Sequence, residues 1–259
     1  MKDDQLGDVF QKFFKDILGE IDPSYDPLKD NIPQGIFHRH EIPIADYLMS
    51  YQKALTDEFL AGYSSLEEAI NAEGSNTLGD RPEAHEIIRT KVSDGESRSN
   101  FEGWKNVNFK YQHPGEGINE FNNSEYAKKR YPTAFKLVEE FGDDCPIANY
   151  SHLVPKTVLH RHIGPENPSG EFIRIHIPLI VPDGDVFLEV NGEEVRWDDI
   201  FAFDNQLAHS AHNLTNEHRL IFLIDIRRSR IGIPPGQNFN KDRFFYSLSK
   251  PFVRKNVHG

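Results

Sequence analysis

Between Phe172 and Ile226 the chain is written almost wholly in short β-prone runs, and this pattern limits what it can fold into more than any other feature. Phe172 to Val181 and Leu220 to Ile226 are rich in β-branched and aromatic residues. Asp185 to Trp197 divides into two short runs about Asn191-Gly192, a pair favoured by tight hairpin turns. Short antiparallel strands joined by turns close into a barrel or a double-sheet jelly roll. The run Arg219-Leu220-Ile221-Phe222-Leu223-Ile224-Asp225 is too apolar on both faces for an edge strand, so it belongs to the interior of a sheet.

Upstream the period changes. Leu6, Val9, Phe10, Phe13, Phe14, Ile17 and Leu18 recur at helical spacing and stop near Gly19. A second helical pattern carries Leu48, Tyr51, Leu55, Phe59 and Leu60, and Ser65 with Glu68 forms a capping-box pair for a short third helix. Such stripes are expected to pack on the outside of a sheet, with a homodimer contact as the alternative. Glu73 to Asn100 turns polar and reads as a long loop, either an active-site cover or a solvated excursion. Phe101 to Gln112 reads as a strand with Val107, Phe109 and Tyr111 on one face. Pro132 then suits a first helical turn, and Phe135, Leu137, Val138 and Phe141 lead to Gly142 as the stop. The expected organisation is a helical and loop region over residues 1–100, packed on a jelly-roll core with a C-terminal extension over residues 101–259, one structural domain overall.

Composition excludes several classes. Of the 259 residues, 37% are hydrophobic, enough to fill an interior and too many for a disordered chain. A net charge of −12 argues against a nucleic-acid partner, which needs a basic surface to neutralise phosphates. No run approaches the roughly 20 apolar residues of a membrane span, and Met1-Lys2-Asp3-Asp4 lacks the regions of an export signal. The expectation is a soluble cytoplasmic protein with no membrane partner. The lone Cys145 forbids an internal disulfide and a cysteine-based metal cluster, so a metal here is held by nitrogen and oxygen.

His162, followed by Ile163-Gly164-Pro165, and His209 are the candidate metal ligands, because two neutral imidazoles on separate strands of a rigid jelly roll can hold one face of a ferrous ion. His160 competes with His162, since two residues along a strand return to the same face. The carboxylate that completes the usual facial triad two residues after the first histidine is replaced by Gly164. Either there is no iron site, or water or an anion stands in that position. In Phe172-Ile173-Arg174-Ile175-His176-Ile177, Arg174 and His176 share one face and the isoleucines the other. If the isoleucines face helices, an interior arginine needs a bound anion, and a cosubstrate carboxylate is one. The alternative is an outward, solvated arginine. Arg219 offers a planar fork for a carboxylate, with an ion pair to Asp225 or Glu217 as its alternative. His152 and His212 take the ordinary reading of core or surface imidazoles.

Taken together, His162-Ile163-Gly164-Pro165, Arg174-Ile175-His176, the Phe203-Asp204 to His209 stretch and the Arg219 to Asp225 strand resemble the aspartyl/asparaginyl β-hydroxylase family of iron(II)- and 2-oxoglutarate-dependent oxygenases. The likeness spans roughly Gly103 to Arg228. It implies a double-stranded β-helix core, jelly-roll and cupin-like. It selects His162 over His160 and His209 over His212 as iron ligands, and makes the glycine at 164 a family feature. It implies that Ser151, Arg174, His176 and Arg219 hold 2-oxoglutarate and that the region of Trp104, Lys110 and Gln112 receives the primary substrate. This chain departs from the family in the Asn167-Pro168-Ser169-Gly170-Glu171 insertion and the first hundred residues, so the resemblance bears on the chemistry and leaves the substrate open.

The expected activity is hydroxylation of an unactivated C–H bond with Fe(II), 2-oxoglutarate and O2 as cofactors. The substrate favoured is a small molecule, an amino acid or a derivative of one, over a peptide. Three rivals stand beside it. A halogenase would seat chloride opposite Gly164, a non-catalytic jelly roll would merely bind a carboxylate, and a zinc hydrolase would want a third ligand at a persuasive spacing.

Overall fold

The structure, a computed structural model, describes residues 22–30, 34–76, 98–99, 103–113, 118–121, 124–164, 167, 169–243 and 246. In chain order the strands are β1 (Ile36–His38), β2 (Ser75–Asn76), β3 (Arg98–Ser99), β4 (Trp104–His113), β5 (Ile118–Phe121), β6 (Ile147–Leu153), β7 (Thr157–His162), β8 (Phe172–Ile180), β9 (Val186–Val190), β10 (Glu193–Arg196), β11 (Phe201–Phe203), β12 (His209–Asn213) and β13 (Arg219–Arg227). The helices are α1 (Ala45–Met49), α2 (Gln52–Leu60), α3 (Leu66–Glu73), α4 (Glu125–Arg130) and α5 (Pro132–Phe141).

Two sheets face each other. One runs β1-β11-β8-β13-β6-β4-β2, with β5 paired to β4, and the other runs β10-β9-β12-β7-β3. Every pairing is antiparallel except β3 with β7. This is the jelly roll that the strand pattern demanded. Ile173, Ile175 and Ile177 of β8 pack with Leu55 and Phe59 of α2 and with Phe135 and Leu137 of α5 in the layer outside the larger sheet. Leu159, Leu188, Phe203, Ala211, Ile221 and Leu223 fill the space between the sheets. Arg174 and His176 therefore point inward.

Local chemistry explains most boundaries. Pro132 opens α5, where its missing N–H costs nothing, and Gly142 ends it at φ +49°. The hairpin between β9 and β10 turns on Asn191 (φ +49°) and Gly192 (φ +91°), as two left-handed residues must. Ser65 caps α3 by accepting from the Glu68 N–H, but Glu68 reaches back to Ser64 rather than to Ser65.

One expected face is wrong. β4 carries a bulge between Asn108 and Lys110, so Val107 and Phe109 join the helical layer whereas Tyr111 packs against the inter-sheet core. A single extra residue reverses the alternation beyond it. The stripe from Leu6 to Leu18 lies outside the described residues, as does most of the stretch read as a cover. Its described ends are Glu73, the last residue of α3, β2 on β4, and β3 on β7. No helix among the described residues is long and apolar enough to cross a membrane.

Candidate active site

His162 ends β7 and His209 begins β12, and the two are register partners. Their ring centroids stand 4.3 Å apart with the planes inclined at 55°. The His209 Nδ1–H donates to the Leu207 carbonyl at 2.8 Å, which leaves Nε2 with its lone pair. Burial and the neighbouring His162 hold the His209 imidazole well below its ordinary pKa, so it is neutral and able to ligate. The loops that carry the pair are tied together. The Gly164 N–H donates to the Asn205 carbonyl at 2.7 Å, Asn167 Nδ2 donates to Asn205 Oδ1 at 3.1 Å, and the Gln206 amide donates to the Asn167 carbonyl. The insertion thus has an internal role. Among the described residues no group of three or more His, Cys, Asp or Glu converges.

Behind the pair opens a cavity continuous with solvent, lined by His162, His209, Ser151, Arg174, His176 and Arg219 among others. Arg219 lines it from β13 and is 2% exposed. Its guanidinium donates to the Ser151 carbonyl at 3.2 Å and sits 4.5 Å from the Trp197 ring centre. Its Nε has no partner, and no carboxylate among the described residues neutralises it. Burial alone pushes the group down to about 9, still a cation at neutral pH. A buried cation with nothing to balance it is costly unless an anion completes it.

His176 lines the cavity from the same sheet. Trp197 Nε1–H donates to its Nδ1 at 3.0 Å, so the proton of the neutral ring sits on Nε2, and that buried atom has no partner. Burial, then Arg219 and Arg174, hold His176 well below its ordinary pKa. The Ser151 hydroxyl accepts from Trp104 Nε1 at 2.8 Å, which leaves its own proton to donate. A cation, an imidazole N–H and a hydroxyl thus line the cavity from the larger sheet, and two imidazoles line it from the smaller one. This donor set fits a ferrous ion chelated by a dianionic oxoacid.

Arg174 departs from expectation. It lines the cavity, but its fork is already met by Asp225, at 2.8 Å through Nε and 2.9 Å through Nη2. The anion an interior arginine requires comes from the chain itself, and the carboxylate weighed as a partner for Arg219 is taken by Arg174. Lys110 is not at the site: the bulge in β4 turns it toward the helices, where Nζ donates to the Gly142 carbonyl at the end of α5 at 2.8 Å. Gln112 does not line the cavity either, and its N–H closes a backbone bond to Pro146. Trp104 does line it, with its ring centre 6.2 Å from that of His162.

The other histidines are placed elsewhere. His152 bonds His218 at 2.8 Å and His212 bonds Asp185 at 2.9 Å; the His160 side chain lies outside the described residues. One contributor escaped the sequence reading. Trp197 fixes the His176 tautomer and floors the Arg219 guanidinium, yet in sequence it only closes a hairpin.

The sequence model of the aspartyl/asparaginyl β-hydroxylases matches residues 64–229, well over half the chain. The chain belongs to the aspartyl/asparaginyl β-hydroxylase family. Among curated proteins no relative matches it. Solved structures give distant likenesses. An oxidoreductase of the 2OG-Fe(II) oxygenase family from Burkholderia pseudomallei is 13% identical over 53% of this chain and 72% of that one, with a TM-score of 0.36. A predicted oxalate decarboxylase from Thermotoga maritima is 17% identical over 35% and 73%, with a TM-score of 0.28. The plu4264 protein of Photorhabdus luminescens is 15% identical over 55% and 89%, with a TM-score of 0.29. As a β-hydroxylase-family chain it carries both histidines, Gly164, Ser151, His176 and Arg219 inside the matched span.

Proposed function

We propose that this protein is an Fe(II)- and 2-oxoglutarate-dependent hydroxylase of an unactivated C–H bond, acting on a small substrate of the amino-acid class. The observation that carries the reading is the meeting, in one cavity, of the His162 and His209 imidazoles with the buried and uncompensated Arg219. His162 and His209 would hold the iron. Arg219, His176 Nε2–H and the Ser151 hydroxyl would hold a carboxylate of 2-oxoglutarate, and Arg174, fixed by Asp225, would add positive potential nearby. When bound, iron and 2-oxoglutarate supply the oxidising power.

The chain's own part is placement and dryness. Arg219 and His176 orient the cosubstrate so that its far end reaches the histidine pair, and the apolar walls Leu159, Leu188, Phe203 and Leu223 keep water from that space. The Trp104 indole beside His162 is the group that would meet the primary substrate. The test is a panel of amino acids and derivatives screened for substrate-stimulated succinate release under ferrous iron and air, with products read by mass spectrometry with and without chloride. Stimulated succinate and a product heavier by one oxygen are expected, and lost in His162→Ala and His209→Ala. Unchanged turnover in those variants would sink the ligand assignment, and a chlorinated product would replace hydroxylation by halogenation.

A further inference from the structure

The metal-facing histidines are held in register from the other side of their sheet. The pairing of β7 with β12 is irregular at this place: Leu159 faces Ala211 and His162 faces His209, so β7 spends three steps where β12 spends two. With Leu159 in the inter-sheet core, strict alternation would turn Arg161 inward and His162 outward. The bulge reverses this and aims the imidazole at the cavity. A bulge also disrupts the local ladder, so backbone bonds alone define His162 poorly.

Glu189 of β9 lies across the sheet from the site, since its neighbours Leu188 and Val190 face the interior. It is 3% exposed and accepts four hydrogen bonds: from Arg161 Nε at 2.9 Å and Nη2 at 3.2 Å, from Ser210 Oγ at 2.9 Å, and from the Gly192 N–H. Arg161 precedes His162, Ser210 follows His209, and Val190 is the register partner of His209 on its other side. One buried carboxylate therefore joins both ligand strands and the hairpin turn. None of these groups lines the cavity.

We propose that Glu189, acting through Arg161 and Ser210, is a positioning residue for the metal site, holding β7 in the bulged register that presents His162. Removing the Glu189 carboxylate takes away the shared acceptor through which Arg161 of β7 and Ser210 of β12 are tied together, so the bulged register loses its side-chain brace. The inference rests on the reading of His162 and His209 as metal ligands, and its test separates the two. Co(II) affinity is measured by titration of the metal-free protein, with the Co(II) visible spectrum as a report of ligand geometry. Glu189→Ala should weaken Co(II) binding by about ten-fold or more and alter the spectrum. The exchanged pair, Arg161→Glu with Glu189→Arg, should recover most of the loss, and Ser210→Ala should give a smaller one. Wild-type affinity in Glu189→Ala, even with a lowered Tm, would reduce the cluster to a fold-stabilising role and overturn the proposal. So would a weakened variant that the exchange does not rescue. If Glu189→Ala fails to fold, the exchanged pair and Ser210→Ala decide alone, wild-type affinity in Ser210→Ala or unrescued loss in the exchange overturning it. Wild-type protein whose Co(II) binding is indifferent to His162→Ala would instead remove the metal site and this inference with it.

Discussion

Arg219 is a guanidinium wholly within protein, met only by a carbonyl and an indole face. The carboxylate of the proposed cosubstrate would balance that buried charge. Arg219→Met, of similar length and without charge, should leave the Tm of the apo protein unchanged or raise it, because removing an uncompensated buried ion is neutral or favourable. The same variant should bind 2-oxoglutarate at least about a hundred-fold more weakly by calorimetry, the loss of a charge-assisted fork. A large fall in apo stability with unchanged affinity would contradict this. The opposite holds for Asp225, whose carboxylate balances Arg174: Asp225→Asn should destabilise by about 3–5 kcal/mol in urea titration. No loss would show that the pair does not hold the interior. At this scale the sequence marked residue types and faces well. It could not assign partners: Asp225 stood as an alternative for Arg219, and only three-dimensional register puts it on Arg174.

Strands and helices were legible where periodicity and stop residues agreed. β8, β13, the β9–β10 hairpin and α5 follow from alternation, an apolar run, Asn191-Gly192, and Pro132 with Gly142. Bulges were not legible, because an extra residue leaves no mark in composition. The bulge in β4 removed Lys110 from the site and returned Tyr111 to the interior, and the bulge in β7 separates His162 from the simple two-residue periodicity. Gly142 offers a clean test of an element boundary. It sits at φ +49°, ψ −122°, and a Cβ there would meet nothing within 4 Å, so any cost of Gly142→Ala is backbone strain alone. That cost should be about 1–3 kcal/mol by thermal unfolding, with no change in metal affinity. A neutral substitution would show that α5 ends by another means.

Over the whole molecule, buried neutral histidines link stability to acidity. Burial pushes His152 down to about 2 and holds His176 well below 6.5. As pH falls through 6.5 the unfolded chain takes up protons that the folded one refuses, so the unfolded state binds more protons and stability drops. Each such histidine contributes a slope of about 1.4 kcal/mol per pH unit. Urea titrations of the metal-free protein at pH 7 and pH 5 should show this loss, whereas equal or greater stability at pH 5 would mean that these rings are protonated in the fold. The jelly roll and the cavity between its sheets followed from the distribution of strands, and the identity of the primary substrate did not, because the walls that would read it include β4, whose facing is set by its bulge. In the proposed function one ferrous ion and one 2-oxoglutarate share a site built from His162, His209 and Arg219. Anaerobic calorimetry of 2-oxoglutarate binding, with and without Fe(II), tests it most directly. One equivalent should bind tightly only with iron present, and His209→Ala should abolish that dependence; binding that ignores both iron and His209 would contradict the account.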